Sequence, residues 1–362
     1  MHRLSHRGIP RPHSRGQRQA PPREDPVSDR LDYRGAGVDL EGADKHVDAI
    51  SEVVTSTWGD GVIGGFGGFA AGIEVPEGMR RPVMMLSTDG VGTKLELARR
   101  LDLWEGVGFD LVAMCADDLT AAGATTVGFV DYMAVGTLHP ERDRAVVASV
   151  AEACRRYGCP LLGGETAEHP GVMAPDAIDL AGAALGVVEH GEEIAGEGVR
   201  VGDVIIGLHS PNLRSNGFSL VRKIVAEVEL EDSFPGESRS IGEVLLEPSV
   251  LYGPLLGPVL GDTALHGMAH ITGGGIPGNL ARILGSEHHA VVERDRWEEP
   301  EVFGWLRDSA GLDDAAMVET FNLGIGFCVV VAPDVVDGIL EAIAGSAVIG
   351  HVVDGERGVT IK

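Results

Sequence analysis

The stretch that most constrains this chain is Ser87-Thr88-Asp89-Gly90-Val91-Gly92-Thr93-Lys94, which directly follows the apolar run Val83-Met84-Met85-Leu86. A strand ending this way delivers Asp89 and Lys94 to one end of a sheet, with two glycines between them. A carboxylate can hold a divalent cation, and an ammonium can neutralise a phosphate as a point charge. Gly90 and Gly92 let the backbone come close to a bulky anion. Read alone, the stretch fits a glycine-rich turn with a surface lysine equally well.

Further segments repeat the theme. Asp110–Gly123 carries Leu111, Met114, Cys115 and Leu119 at helical spacing, which predicts a helix. Asp117 and Asp118 sit near its end, where carboxylates oppose the helix macrodipole. A bound cation explains that placement, and a solvated acidic helix end is the competing reading. Gly163-Gly164-Glu165-Thr166-Ala167-Glu168 follows the apolar Pro160–Leu162, so a carboxylate and glycines again fall just past a predicted strand. Gly64-Gly65-Phe66-Gly67-Gly68-Phe69 and His270-Ile271-Thr272-Gly273-Gly274-Gly275 add two more glycine loops. Together these segments point to a metal–nucleotide site assembled from distant parts of the chain.

Charge and composition narrow the class. The formal net charge of −26 excludes non-specific binding to nucleic acid or to an anionic membrane. An anionic substrate must therefore be drawn in by local charge and Mg²⁺. Glycine, at 52 of 362 residues, is about twice as frequent as usual and lies mainly in loops. Cys115, Cys154, Cys159 and Cys328 include no C-x-x-C pair, and a reducing cytoplasm fits them best. No apolar run reaches the ~18 residues needed to cross a bilayer. Residues 1–30 hold seven arginines against three acids, with several prolines and no apolar core. We read them as a disordered basic leader, either an over-extended start or an organelle-type leader.

Folded sequence begins near Leu31-Asp32-Tyr33. Strands are predicted at 83–87, 127–135, 179–189, 204–208, 290–293 and 327–331. Helices are predicted at 107–119, 141–157, 219–228, partly over 244–260, and at 333–344. This alternation gives a mixed α/β or α+β class. The glycine-rich, charged Gly191–Gly202 marks a boundary between domains 31–195 and 196–362. No Walker A pattern is present, a Rossmann reading of Gly65-Phe66-Gly67 is weak, and no zinc spacing appears.

Taken in order, YRGAGVDLEGAD (33–44), GGFGGF (64–69), STDGVGTK (87–94), GFDLVAMCADDL (108–119), GGETAEHPG (163–171), SNGFSLVRKI (215–224), AHITGGGIPGNL (269–280), PEVFGWL (300–306) and TFNLGIGF (320–327) resemble the phosphoribosylformylglycinamidine cyclo-ligase (aminoimidazole ribonucleotide synthetase) family from about Tyr33 through Lys362. The resemblance implies a cytoplasmic homodimer with an N-terminal ATP-binding domain that forms an intersubunit β-barrel, and a C-terminal α+β domain. The implied reaction is ATP-dependent ring closure of formylglycinamidine ribonucleotide in purine biosynthesis.

On that footing Asp89 and Asp118 are expected to hold Mg²⁺, with Asp117 and Glu165 as further metal candidates. Lys94 is expected at a phosphate of ATP. Gly64, Gly65, Gly67, Gly68, Gly90, Gly92, Thr93, Gly163 and Gly164 are expected around the nucleotide. Arg214, Ser215, Asn216, Gly217, Thr272, Gly273, Gly274 and Gly275 are expected toward the ribonucleotide phosphate. His270 is the best histidine for proton transfer or substrate contact, against a packed histidine ending a strand; Lys94 and Asp118 complete the expected catalytic set.

Two departures stand out. Relatives often carry His where this chain has Arg214, and the superfamily pattern D-x-x-x-x-G-A-x-P lacks its proline at Thr126. The alternatives are another ATP-using enzyme of the superfamily and an inactive nucleotide-binding paralogue. Selenophosphate synthetase is disfavoured because the first cysteine, Cys115, lies in a helical pattern rather than in an N-terminal loop.

Overall fold

The computed structural model describes residues 40–362; the expectations about residues 1–30 and about a folded start near Leu31 lie outside the described residues. The first half runs α1 (Leu40–Thr55), the short strands β1 (Val62–Ile63) and β2 (Gly72–Ile73), β3 (Pro82–Gly90), α2 (Lys94–Leu101), α3 (Val107–Ala121), β4 (Thr125–Val135), α4 (Pro140–Tyr157), β5 (Leu161–Glu168) and β6 (Ile178–Glu189). The longer strands form a four-stranded sheet in the order β3-β6-β4-β5. α4 opens with Pro140 and stops at Gly158, whose φ of 89° suits glycine in the left-handed region.

One face of this sheet packs on α3; among the described residues the other leaves Met84, Leu86, Val130 and Tyr132 exposed. α3 is buried nearly all round, which its run of Leu111, Val112, Ala113, Met114, Cys115 and Ala116 requires. It lies very close to α4, because Gly108 faces the α4 backbone. A Cβ at Gly108 would collide with the backbone of Ser149 and Val150. We expect Gly108→Ala to destabilise the fold by about 3 kcal/mol, read as a lower urea midpoint with an unchanged slope; an unchanged midpoint would show that the two helices separate freely.

The second half runs β7 (Val204–His209), α5 (Phe218–Ile224), α6 (Ile241–Leu245), α7 (Tyr252–Leu256), β8 (Leu265–His270), α8 (Gly275–Leu280), β9 (His288–Val292), α9 (Glu301–Ala310), α10 (Asp314–Thr320), β10 (Ile325–Val331), α11 (Val336–Ala342), β11 (Ser346–Asp354) and β12 (Gly358–Ile361). Its six-stranded sheet has the order β12-β9-β11-β7-β10-β8. β10 is buried along its whole length and pairs antiparallel with both β7 and β8. Its uninterrupted apolar run Phe327-Cys328-Val329-Val330-Val331 matches a strand covered on both faces.

The halves share a core. One apolar cluster joins Val107, Leu111 and Phe129 to Phe218, Val221, Phe303 and Phe321. The helix predicted over 219–228 stops at Ile224, and that over 244–260 splits into α6 and α7, where Pro248 and the loop around it part the two. β5 runs on through Glu168, so Gly163, Gly164 and Glu165 lie inside a strand rather than past its end. Parallel pairing with β4 supplies the backbone partners that keep them extended.

Candidate active site

Helix α3 and strand β3 touch where they carry Asp118 and Asp89, through Ser87 and Cys115. Asp118, on the last turns of α3, is half exposed and takes the Nδ1 edge of His270 at 2.8 Å. Its other oxygen lies 3.5 Å from Ser87 Oγ, two residues before Asp89 on β3. Cys115, one helical turn before Asp118, leans on the carbonyl of Asp89. Asp89 is exposed and accepts the backbone N–H of Gly90 at 2.7 Å. Burial pushes the Cys115 thiol up to about 12, so it is an inert packing group.

Asp89 and Asp118 are hard oxygen donors of the type a magnesium ion takes. Among the described residues no cluster of three or more His, Cys, Asp or Glu side chains gathers to hold a metal. Mg²⁺ needs no such cage, because it is ordinarily held by one or two carboxylates together with substrate phosphates.

Three expected site residues are used differently. Lys94, expected at a phosphate, is 1% exposed; its ammonium lies 2.7 Å from Asp110 and donates to the carbonyls of Arg214 and Glu247. An ammonium has three N–H donors, and all three are taken. Burial pulls Lys94 below its ordinary pKa and pushes Asp110 above its own, with their mutual attraction opposing both shifts. Arg214, expected at the substrate phosphate, is 0% exposed. It pairs with Asp117 at 3.0 Å, donates to the Val250 carbonyl and to His270 Nε2 at 2.8 Å, and lies over the Tyr252 ring. Asp117, a metal candidate, is buried as well; besides Arg214 it accepts from Tyr157 Oη and from the backbone N–H groups of Tyr252 and Gly253, which open α7. An arginine and a neighbouring helix start, rather than a cation, answer the carboxylate that opposes α3's dipole. His270 has both ring nitrogens engaged inside the protein.

The remaining residues fall in two places. Arg214 leads into Ser215 and Asn216, whose Oγ and Oδ1 are buried without partners, an arrangement that asks for a ligand. Gly217 presses against the Phe321 ring and Thr320, and Gly275 against the Val318 carbonyl and Phe321, so a Cβ at either would collide with this end of α10. The loops carrying Ser215–Gly217 and Thr272–Gly275 therefore meet, next to Asp118 and His270. Thr93, at the start of α2, reaches Ser219 at 3.3 Å, and Gly92 lines the same groove as Arg222. Gly90 ends β3 beside Asp89.

The second place is a cavity of about 490 Å³ between α1, β4, β5 and the glycine loop. Gly65, Gly67, Gly68, Gly163, Gly164 and Glu165 line it; Gly64 lies outside the lining. Two residues not singled out from the sequence belong here. His46 is buried with Nδ1 unpartnered, and burial lowers its pKa. Asp131 is packed against Gly164, and burial pushes its carboxyl up to about 7. An acid interrupting the apolar run Val127–Val135 was the available signal. This cavity sits at the β5 edge of the sheet, while Asp89 sits on β3. Three strand steps separate them, roughly 14 Å at the usual spacing. Within one subunit Glu165 therefore does not join Asp89 and Asp118.

The fold is a two-domain class of mixed helix and sheet: residues 70–188 match the family described as AIR synthase related protein, N-terminal domain, and residues 200–362 match its C-terminal domain. The chain belongs to the AIR synthase family. It is 46% identical over 314 residues to phosphoribosylformylglycinamidine cyclo-ligase of Prochlorococcus marinus, covering 86% of this chain and 91% of that one. It is 47% identical over 302 residues to the protein of the same name from Thermosynechococcus vestitus, covering 83% and 89%. Among solved structures, thiamine-monophosphate kinase from Stenotrophomonas maltophilia superposes with a TM-score of 0.64 at 20% identity, covering 87% of this chain and 96% of that one. A hydrogenase maturation protein HypE in complex with ATP gives 0.63 at 16% identity, covering 87% and 90%. At these identities the two structures speak for the fold alone.

Proposed function

We infer that the chain is an ATP-dependent ligase of purine biosynthesis, closing formylglycinamidine ribonucleotide to 5-aminoimidazole ribonucleotide with release of ADP and phosphate. The identity of 46% across 86% of the chain to a cyclo-ligase carries this reading. An amide carbonyl is a poor electrophile toward an amidine. Transfer of the γ-phosphoryl group to the amide oxygen gives an iminophosphate; the amidine nitrogen then attacks that carbon, phosphate leaves, and a proton is lost. Such transfer depends on positioning and charge neutralisation. The test is turnover of purified protein with ATP, Mg²⁺ and substrate, with one ADP formed per aminoimidazole product. Nucleotide binding without turnover would favour an inactive paralogue.

In this reading Asp89 and Asp118 hold Mg²⁺, which would neutralise charge on the phosphates. Ser215, Asn216 and the Thr272–Gly275 loop take the ribonucleotide phosphate. The glycine loop with Gly163 and Gly164 takes the nucleotide. The buried free cysteines support a cytoplasmic location. Among the described residues no helix is long and apolar enough to cross a membrane. The chain divides near residue 195 into a nucleotide-binding half and an α+β half.

The working unit is a homodimer. The open face of the four-stranded sheet exposes Met84, Leu86 (76%), Val130 and Tyr132 (43%), an apolar row unlike a solvated surface. Closing two such sheets into a barrel removes both free edges, β3 and β5. It also sets the β3 edge of one copy beside the β5 edge of the other, bringing Asp89 and Asp118 toward the partner's glycine cavity. Leu86→Glu is expected to convert dimer to monomer in sedimentation equilibrium, since a charge cannot be buried unpaired in an apolar face; a dimer of unaltered strength would move the interface elsewhere.

A further inference from the structure

A buried chain of polar contacts crosses the two halves of the molecule: Asp117 to Arg214 at 3.0 Å, Arg214 to His270 Nε2 at 2.8 Å, and His270 Nδ1 to Asp118 at 2.8 Å. Its direction is fixed by donor chemistry. A guanidinium nitrogen only donates, so Nε2 of His270 accepts. The ring proton then sits on Nδ1 and is donated to Asp118. The Arg214 backbone is held in the left-handed region at φ 58°, uncommon for a non-glycine residue, with its N–H bonded to Asn212 Oδ1. Tyr252 lies beneath the guanidinium and the Val250 carbonyl accepts from Nη1, while Nε is buried without a partner. Only the last member of the chain, Asp118, reaches solvent.

We propose that Arg214 is a positioning residue: by donating to His270 Nε2 it fixes the ring proton on Nδ1, and so sets the direction of the solvent-exposed Asp118 carboxylate. The proposal rests on Asp118 being a magnesium ligand. The same chain ties Asp118 to the loop bearing Ser215 and Asn216, so the cation and the substrate phosphate share one rigid frame. Orienting groups behind metal ligands commonly set their affinity.

Two substitutions of His270 separate orientation from mere packing. An asparagine amide overlays the Nδ1 edge and can still donate to Asp118. A glutamine reaches the Nε2 position and can face Arg214, but leaves Asp118 without its donor. Calorimetric titration of ADP with and without Mg²⁺ measures how far the cation tightens nucleotide binding. His270→Gln should reduce that enhancement by about tenfold, and His270→Asn by less than about threefold. Equal losses in both variants would overturn the proposal.

The ring protons give a second readout that needs no ligand. Nitrogen-15 spectra of histidine-labelled, ligand-free protein should show His270 protonated at Nδ1 and bare at Nε2. In the paired variant Asp117→Asn/Arg214→Met, which leaves no buried charge unanswered, protonation should move toward Nε2. A proton on Nε2 in the parent protein, or an unchanged pattern in the variant, would refute Arg214's part. If the parent shows no magnesium enhancement at all, the metal reading of Asp118 fails, and the spectra still decide the tautomer.

Discussion

Asp118→Asn is expected to lower turnover by about 10²–10³-fold, the scale lost when one preorganised stabiliser of developing charge is removed. The fold should barely notice. Asp118 is 49% exposed, and asparagine retains an oxygen that can accept the Nδ1–H of His270. Surface changes of this kind stay within about 0.5 kcal/mol. What is lost is the negative charge, and a neutral amide is a poor ligand for a hard cation. The measurement is turnover at saturating Mg²⁺ beside a thermal melt of the same preparation. Full activity in a well-folded variant would remove Asp118 from the metal.

Lys94→Met is expected to act through stability instead. It leaves Asp110 buried, with Ser249 as its remaining donor through N and Oγ. Breaking a buried ion pair from one side costs about 3–5 kcal/mol. The backbone carbonyls of Arg214 and Glu247 would lose their donor too, loosening the loop that carries Ser215 and Asn216. The urea midpoint should therefore drop sharply, and Lys94→Met/Asp110→Asn should recover part of it, since the paired change strands no charge. ATP KM, corrected for the folded fraction, should move little. A stable single variant with a much weaker ATP KM would return Lys94 to the phosphate.

Lys94 also shows where linear reading ends. A lysine after two glycines at a strand end has the local signature of a phosphate contact. Its partner in the structure, Asp110, lies on another helix. Arg214 is a second case: its partners Asp117 and His270 are 97 and 56 positions away. Helix α3, by contrast, was legible, because its apolar spacing is a local property. So were β4 and β10, whose apolar runs read as strands; β10 is covered on both faces, β4 on one. Glu165 divided the two cases. Its neighbouring glycines suggested a loop, and pairing with β4 drew them into a strand.

The sequence by itself determined the class of fold, the order of strands and helices through most of the chain, and the family. These rest on short-range periodicity and on ordered motifs, which need no knowledge of what packs on what. Tertiary structure alone decided which charges are spent holding the halves together and which stay open to a ligand. A side chain's availability depends on burial and on partners distant in the chain, and no local pattern encodes either.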